Sequence, residues 1–202
     1  MCSVFRVLIQ GCLLGFYLAG CTPDTSQEAT RDFVGSVVAD MRVGNTTEFD
    51  GSDGQSYRLA DFKGKVVALF FGYTHCPDVC PATMSELNRA IKLLGPDAMR
   101  VQVLFVTLDP DRDTVRVLQQ YVPYFNPNFI GLRGDVGVTQ RLARDFKVFY
   151  ARQVSDGKMG YTIDHSSGIY VFDRKGRLRL FMSQGQSVRD IAHDLRILVN
   201  EK

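Results

Sequence analysis

The sequence predicts an α/β protein with a thioredoxin-like fold, a central mixed β-sheet flanked by helices, with an N-terminal β-hairpin extension. Residues 66–71 (VVALFF) and 101–106 (VQVLFV) are continuous apolar runs, typical of strands covered on both faces. An amphipathic segment between them completes a βαβ unit, and a late hairpin adds antiparallel strands to the sheet.

The elements follow from local signals along the chain. Asp50-Gly51 and Asp53-Gly54 are turn signals between short strand-like pieces and predict the N-terminal hairpin. Apolar residues from Met84 to Leu94 recur every three or four positions, and Gly95-Pro96 ends that helix.

Similar patterns predict the second half of the domain. Helices are expected at about 114–124, 136–146 and 187–199, and the late hairpin at 169–172 and 178–182.

Composition restricts the class of protein. The chain has 202 residues, 45% of them apolar and 23% charged, with a formal net charge of +2. This length is enough for one domain with a sizeable core. A nearly balanced charge, without a long basic run, argues against nucleic acid as a partner.

The first 20 residues predict a signal peptide of the lipoprotein type. Arg6 is their one charge, and the apolar run 7–20 is shorter than the roughly 20 residues that span a bilayer. The run ends in Leu-Ala-Gly before Cys21, which resembles a bacterial lipobox with Cys21 as the lipidated residue. The alternative is an uncleaved membrane anchor.

Both alternatives tether the domain to a membrane outside the cytoplasm. We expect residues 21–40 to form a polar tether and residues 41–202 the folded domain. The predicted location is the bacterial cell envelope, facing the periplasm.

Two cysteines remain for chemistry in the mature domain. Cys2 and Cys12 leave with the signal and Cys21 carries lipid, so Cys76 and Cys80 are the remaining thiols. They flank the predicted N-terminus of a helix, where unpaired N–H groups and the helix dipole favour thiolates.

The spacing leaves three interpretations open. Thioredoxin-type enzymes separate their cysteines by two residues, whereas three separate Cys76 and Cys80. A disulfide staple closing so short a loop would contribute only about 2 kcal/mol. Disulfide exchange and metal binding both require low-pKa thiolates.

His165 favours the metal interpretation. Redox enzymes of this fold have a cis-proline in the loop opposite their cysteines, whereas the corresponding loop here, residues 161–168, contains His165. Two thiolates and one imidazole suit Cu(I), or Cu(II) with an added ligand, and Zn(II) is a competitor.

The acidic segment TLDPDRDT resembles the start of a calcium loop. Thr114 and Gln120, however, occupy the positions where an EF-hand has Gly and Glu. We expect a strand-to-helix loop in which Asp113 caps the next helix.

Three motifs in order, FFGYTHCPDVCPATMSEL, TLDPDRDT and YTIDHSSGIYVFD, resemble the Sco/SenC family of copper-binding proteins. The resemblance covers about residues 44–200. It implies a membrane-tethered thioredoxin fold that binds one copper ion per chain through Cys76, Cys80 and His165. It also implies a role in assembling the binuclear copper centre of cytochrome c oxidase subunit II, by delivering copper or by keeping its cysteines reduced.

The leading hypothesis is therefore a metallochaperone that passes copper to that subunit or to another copper-accepting protein. One alternative is a thiol-disulfide oxidoreductase in which Cys76 and Cys80 are the catalytic pair and form a disulfide. Another is a redox or copper sensor.

Overall fold

An eight-stranded mixed β-sheet forms the centre of the fold. The computed structural model describes residues 33–38, 46–154 and 160–201. The strands and helices of these residues, in chain order, are β1 (Ser36–Val37), β2 (Glu48–Gly51), β3 (Ser56–Arg58), β4 (Val66–Gly72), α1 (Val79–Leu93), β5 (Val101–Thr107), α2 (Val115–Phe125), β6 (Ile130–Arg133), α3 (Val136–Asp145), β7 (Tyr150–Val154), β8 (Tyr161–His165), β9 (Gly168–Phe172), β10 (Leu178–Ser183) and α4 (Val188–Asn200). Short 3-10 helices cover Leu59–Phe62 and Gly95–Arg100.

The strand order in the large sheet is β1-β10-β9-β4-β5-β6-β2-β3. Strands β4 and β5 pair in parallel through the crossover helix α1, as the two apolar runs predict. Strand β9 pairs antiparallel with β4 on its other side, so the sheet is mixed. Every residue of β4 and β5 is buried, because helices cover the sheet on both faces.

Alternate residues of β4 supply two separate cores. Phe70 packs with residues of α1, α2 and α4, whereas Leu69 and Phe71 pack with residues of α3 on the opposite face. Full burial of Phe70 removes a large apolar surface from water and stabilises the fold by about 2 kcal/mol. The central strands thus form a rigid support for the loop that follows β4.

The structure corrects the prediction for residues 161–168. Tyr161–His165 is strand β8, which pairs antiparallel with β7 in a separate two-stranded sheet, rather than a loop. Both strands are short and mostly exposed or half-buried, so they lack the apolar runs by which β4 and β5 are recognised. Strands β1 and β6 were not predicted either, because they are only two and four residues long.

A second correction concerns the start of α2. Thr114, and not Asp113, is its N-cap, and the Thr114 side chain accepts a hydrogen bond from the backbone N–H of Val117 at 3.3 Å. The Asp113 side chain has other partners in the interior, described below.

Residues 33–38 belong to the folded unit although they fall within the predicted tether. Strand β1 pairs with β10, and the buried carboxylate of Asp194 on α4 accepts hydrogen bonds from the N–H groups of Val34 and Gly35 at 3.0 and 2.7 Å. The predicted signal peptide and Cys21 lie outside the described residues. No helix in the described part of the chain is long and apolar enough to cross a membrane.

Candidate metal centre

The two cysteines lie where strand β4 leads into helix α1. Cys76 is half-buried in the loop after β4, and Cys80 is fully buried in the first turn of α1. The backbone N–H of Cys80 donates to the Sγ atom of Cys76 at 3.5 Å. The helix N-terminus thus faces the Cys76 sulfur, as the sequence predicts, and stabilises a thiolate there.

Gly72, the last residue of β4, makes room for the Cys80 sulfur. A Cβ atom at this position would lie 2.9 Å from Cys80 Sγ and 2.9 Å from Phe105 Cε2. Only a glycine lets the strand pass this close to the thiol.

His165 reaches the cysteines from the end of β8. Its Nε2 atom lies 3.6 Å from Cys80 Sγ, and its Nδ1 atom lies 3.0 Å from the backbone carbonyl oxygen of Ser166. Because a carbonyl oxygen only accepts, Nδ1 carries the proton in the neutral ring. Nε2 therefore has a free lone pair directed at the sulfur, as a metal ligand requires.

These three side chains could hold one metal ion. Their ligand atoms all lie within 4.8 Å of one another. Metal–sulfur and metal–nitrogen bonds of about 2.0 to 2.3 Å place two ligand atoms of one ion about 3.5 to 4 Å apart. The distance of 3.6 Å between Cys80 and His165 agrees with that spacing. The soft donor set fits copper.

Two aromatic rings hold the imidazole in place. The His165 ring meets Phe70 and Tyr73 edge to face, at centroid distances of 6.4 and 6.0 Å. Tyr73 also accepts a hydrogen bond from the backbone N–H of Ile163 at 3.2 Å, so the loop after β4 contacts β8 directly. Tyr73 is itself buried, which raises the pKa of its hydroxyl.

The environments of the two thiols differ sharply. The hydrogen bond from the Cys80 side chain lowers the pKa of Cys76 to about 3. The same hydrogen bond and burial raise the pKa of Cys80 well above that of an ordinary thiol. In the metal-free protein, Cys76 is thus the thiolate and Cys80 the proton donor.

An open cleft of about 360 Å³ gives access to the site. Its lining includes Tyr73, Cys76, Val79, Ile163, Asp164 and His165. Cys76 and His165 are thus reachable from outside, whereas Cys80 lies beneath them. A ligand or partner approaching through the cleft meets Cys76 before Cys80.

The acidic motif supports the cysteine loop through the buried side chain of Asp113. The buried Asp113 carboxylate accepts hydrogen bonds from the N–H and hydroxyl groups of Thr74, at 2.9 and 2.5 Å, and from the hydroxyl of Thr107 at 2.7 Å. Thr74 lies two residues before Cys76, so Asp113 secures the cysteine loop. In the sequence, the indication of such a role was the set of three alternating carboxylates directly after a buried strand.

The two other histidines, both among the described residues, are not part of the grouping. His75 is exposed and its ring hydrogen-bonds with the Thr74 hydroxyl at 3.1 Å, while His193 lies beside Asp194 on α4. Met159, which precedes His165 in the chain, lies outside the described residues.

Comparisons with solved structures identify the fold. A solved structure described as Bradyrhizobium japonicum ScoI with copper bound is 30% identical, with a TM-score of 0.70, over 81% of this chain and 98% of that chain. The solution structure of apo Sco1 from Thermus thermophilus is 36% identical, with a TM-score of 0.72, over 85% of this chain and 99% of that one. These likenesses confirm the predicted thioredoxin-like fold.

Sequence relatives and a family model identify the family of the chain. A Bos taurus protein called "Protein SCO2 homolog, mitochondrial" is 37% identical over 139 residues, which are 68% of this chain and 52% of that protein. The chain thus spans about half the length of this mitochondrial relative. The family model SCO1/SenC matches residues 39–200, a range that contains Cys76, Cys80 and His165. The chain therefore belongs to the SCO1/SenC family.

Proposed function

We propose that this protein binds one copper ion through the thiolates of Cys76 and Cys80 and the Nε2 atom of His165, and passes it to a copper-accepting protein. The observation that carries the proposal is the 3.6 Å approach of His165 Nε2 to Cys80 Sγ. The acceptor we propose is the binuclear copper centre in subunit II of cytochrome c oxidase, on the basis of family membership.

The donor set supports copper over harder cations. Thiolates are soft ligands that favour Cu(I), and an imidazole with two thiolates also accommodates Cu(II) when another ligand is added. Zn(II) is the competitor, because it also binds sulfur and nitrogen, usually with four ligands.

The different burial of the two sulfurs suggests how copper leaves. Cys76 borders the cleft and Cys80 is fully buried, so an incoming thiolate from the acceptor displaces the Cys76 sulfur first. Each exchange replaces one copper–sulfur bond with another, which keeps the ion ligated throughout. Oxidation of Cys76 and Cys80 to a disulfide would remove both sulfur ligands and prevent loading.

We also propose that lipid on Cys21 anchors the protein in the bacterial cell envelope, with the copper-binding domain, which includes residues 33–38, in the periplasm. The support is the lipobox-like sequence before Cys21. Mass spectrometry of the protein isolated from cells tests this proposal. We expect an N-terminus at Cys21 carrying acyl chains, and an intact N-terminus at Met1 would contradict it.

Copper binding is tested by titrating the reduced full-length chain with Cu(I) in the presence of a chromophoric Cu(I) chelator. We expect one ion per chain and a loss of affinity in Cys80→Ser and His165→Ala. His193→Ala is the matched control, because His193 is a half-exposed histidine on α4 outside the ligand group. An unchanged Cu(I) affinity in His165→Ala would contradict the proposal.

A second function is favoured by the position of Cys76, which borders the cleft and accepts a hydrogen bond from the Cys80 N–H at the start of α1, where a thiolate is stabilised. As a thiol-disulfide oxidoreductase, Cys76 would attack a partner's disulfide and form a mixed disulfide while one partner thiolate leaves. Cys80 would then attack Cys76 Sγ, release the second partner thiol and complete the Cys76–Cys80 disulfide. Reduction of a model disulfide with turnover, in the presence of an external thiol reductant and without copper, would support this function.

A further inference from the structure

One loop contacts both halves of the candidate metal centre. The loop runs from the end of β5 to the start of α2 and contains Asp109, Arg112 and Asp113. Asp113 holds Thr74 in the cysteine loop, through the hydrogen bonds described above. Asp109 and Arg112 face the other way, toward the hairpin that carries His165.

The histidine side of this loop is a compact polar cluster. The hydroxyl of Tyr161, the first residue of β8, donates to Asp109 at 2.7 Å. Arg112 donates from Nη1 to the backbone carbonyl of Tyr161 at 2.9 Å, from Nε to Asp109, and places its guanidinium 3.6 Å from the Tyr161 ring centre. Tyr161 is therefore held at its backbone, ring and hydroxyl.

A neighbouring strand joins the same cluster. Arg152 on β7 lies 2.5 Å from Asp111 and 3.7 Å from Asp109, and its guanidinium lies 4.8 Å from the Tyr161 ring centre. Asp109 is fully buried, so its charge requires these cationic partners. Both strands of the hairpin are thereby attached to one carboxylate.

The β7–β8 hairpin depends on these side-chain contacts. Strands β7 and β8 form a two-stranded sheet with no ladder pairing to the eight-stranded sheet among the described residues. An isolated two-stranded hairpin is at best marginally stable in water. His165 is connected to β9 of the large sheet through residues 166–167, and side-chain contacts, rather than a shared β-ladder, hold the rest of the hairpin.

We propose that Tyr161 and Arg112 are positioning residues for His165, which hold the β7–β8 hairpin so that Nε2 stays within ligand distance of Cys80. The same segment also holds the cysteine loop through the bonds of Asp113 to Thr74. It therefore fixes the positions of the two halves of the site relative to each other. This inference rests on the proposed function, because positioning of His165 matters for binding only if His165 is a ligand.

The test is a double-mutant cycle between Tyr161 and His165 in the full-length chain. Tyr161→Phe removes only the hydroxyl that donates to Asp109 and keeps the ring under Arg112. We expect Cu(I) affinity, measured by chelator competition, to fall about tenfold in Tyr161→Phe, as is common for groups that orient a metal ligand. In the His165→Ala background the same change should have no further effect.

The matched control is Tyr170→Phe. Tyr170 also donates a buried hydroxyl hydrogen bond, to the carbonyl of Phe146 at 2.8 Å, but it lies in the core cluster on the other face of the sheet. We expect its Cu(I) affinity to equal that of the unaltered chain. An equal loss in both tyrosine variants would overturn the positioning role.

Two further readouts separate positioning from general damage. In the Cu(II)-loaded chain, the visible and electron paramagnetic resonance spectra of Tyr161→Phe should shift toward those of His165→Ala. In the metal-free chain, the Ile163 amide, which donates to Tyr73, should exchange its hydrogen faster in Tyr161→Phe and not in Tyr170→Phe. Arg112→Lys, which keeps the charge but not the planar stack, should behave like Tyr161→Phe.

The outcomes distinguish this inference from the proposed function. If His165→Ala binds Cu(I) as tightly as the unaltered chain, the ligand assignment fails, whatever Tyr161→Phe does. If His165→Ala loses affinity while Tyr161→Phe keeps it, the ligand assignment stands and the positioning role is overturned. Additive losses in the double variant would also overturn it, because Tyr161 would then act independently of His165.

Discussion

His165 Nε2 lies 3.6 Å from Cys80 Sγ, although 85 positions separate the two residues in the chain. The approach brings a nitrogen lone pair to a buried sulfur, because the Ser166 carbonyl holds the ring proton on Nδ1. With this contact, the cysteine pair and His165 form a group of three side chains that could hold one metal ion.

The first prediction concerns the reactivity of the thiols. Because its pKa is lowered to about 3, Cys76 remains ionised across the neutral range, and its alkylation rate should be nearly flat from about pH 5 to about pH 8. An ordinary thiol, with a pKa of about 8.5, would react about tenfold faster for each pH unit over this range. Cys80 should stay unmodified, because its pKa is raised and its side chain is buried.

Mass spectrometry of the reduced, iodoacetamide-treated chain measures both thiols. The control is Cys80→Ala, which removes the hydrogen bond that contributes most to the shift and should make Cys76 alkylation rise with pH. A pH-dependent rate at Cys76 in the unaltered chain would contradict the prediction.

The second prediction concerns the space beneath Cys80. Gly72→Ala would place a Cβ atom 2.9 Å from Cys80 Sγ and 3.0 Å from Phe70 Cε1, both in fully buried side chains. We expect the free energy of unfolding to fall by about 2 kcal/mol from overpacking, and Cu(I) affinity to fall because the sulfur is displaced.

Urea unfolding and chelator competition measure the two effects. Gly137→Ala on α3 is the control, because the nearest atoms to its added Cβ are the outer ends of the Asp135 and Arg141 side chains, at 3.3 and 3.5 Å. An alanine should be neutral or slightly stabilising there. Unaltered copper affinity in Gly72→Ala would show that the sulfur tolerates the shift.

The third prediction concerns the carboxylate beneath the cysteine loop. Asp113→Ala leaves the Thr74 N–H and the Thr74 and Thr107 hydroxyls without their common acceptor, which we expect to cost about 3 kcal/mol of unfolding free energy. Asp113→Asn should cost less, because the amide oxygen still accepts.

Chemical denaturation of the two variants gives these values. Asp97→Ala is the reference, since Asp97 forms only a partly exposed ion pair with Arg100 and should change stability by less than about 1 kcal/mol. If Asp113→Ala is no less stable than Asp97→Ala, the buried network does not support the cysteine loop.

The fourth prediction concerns the N-terminal strand. Asp194→Ala removes the acceptor for the N–H groups of Val34 and Gly35, and we expect a loss of about 2 kcal/mol together with faster hydrogen exchange at these two amides. Cu(I) affinity should stay unchanged, because α4 contributes no member of the ligand group.

Hydrogen exchange followed by mass spectrometry locates the effect in residues 33–38. Asp190→Ala in the first turn of the same helix is the control for the loss of a carboxylate from α4. Equal exchange in the two variants would mean that Asp194 does not hold the strand.

Much of the fold could be predicted from local patterns. Strands β4 and β5 are apolar along their whole length because they are buried on both faces, and α1 to α4 show regular apolar spacing. The β7–β8 hairpin has neither signal. Because contacts with a loop distant in the chain help to hold this hairpin, local patterns indicated a loop over residues 161–168.

The sequence by itself indicated which residues could hold a metal ion. Cys76 and Cys80 flank a helix start, and their motif, together with the one around His165, indicated the family. Tertiary structure alone decided that His165 Nε2 meets Cys80, that Asp113 turns inward to Thr74, and that Tyr161 and Arg112 lie together beside Asp109. Local propensities depend on neighbours a few positions away, whereas these contacts depend on strand order and on side chains far apart in the chain.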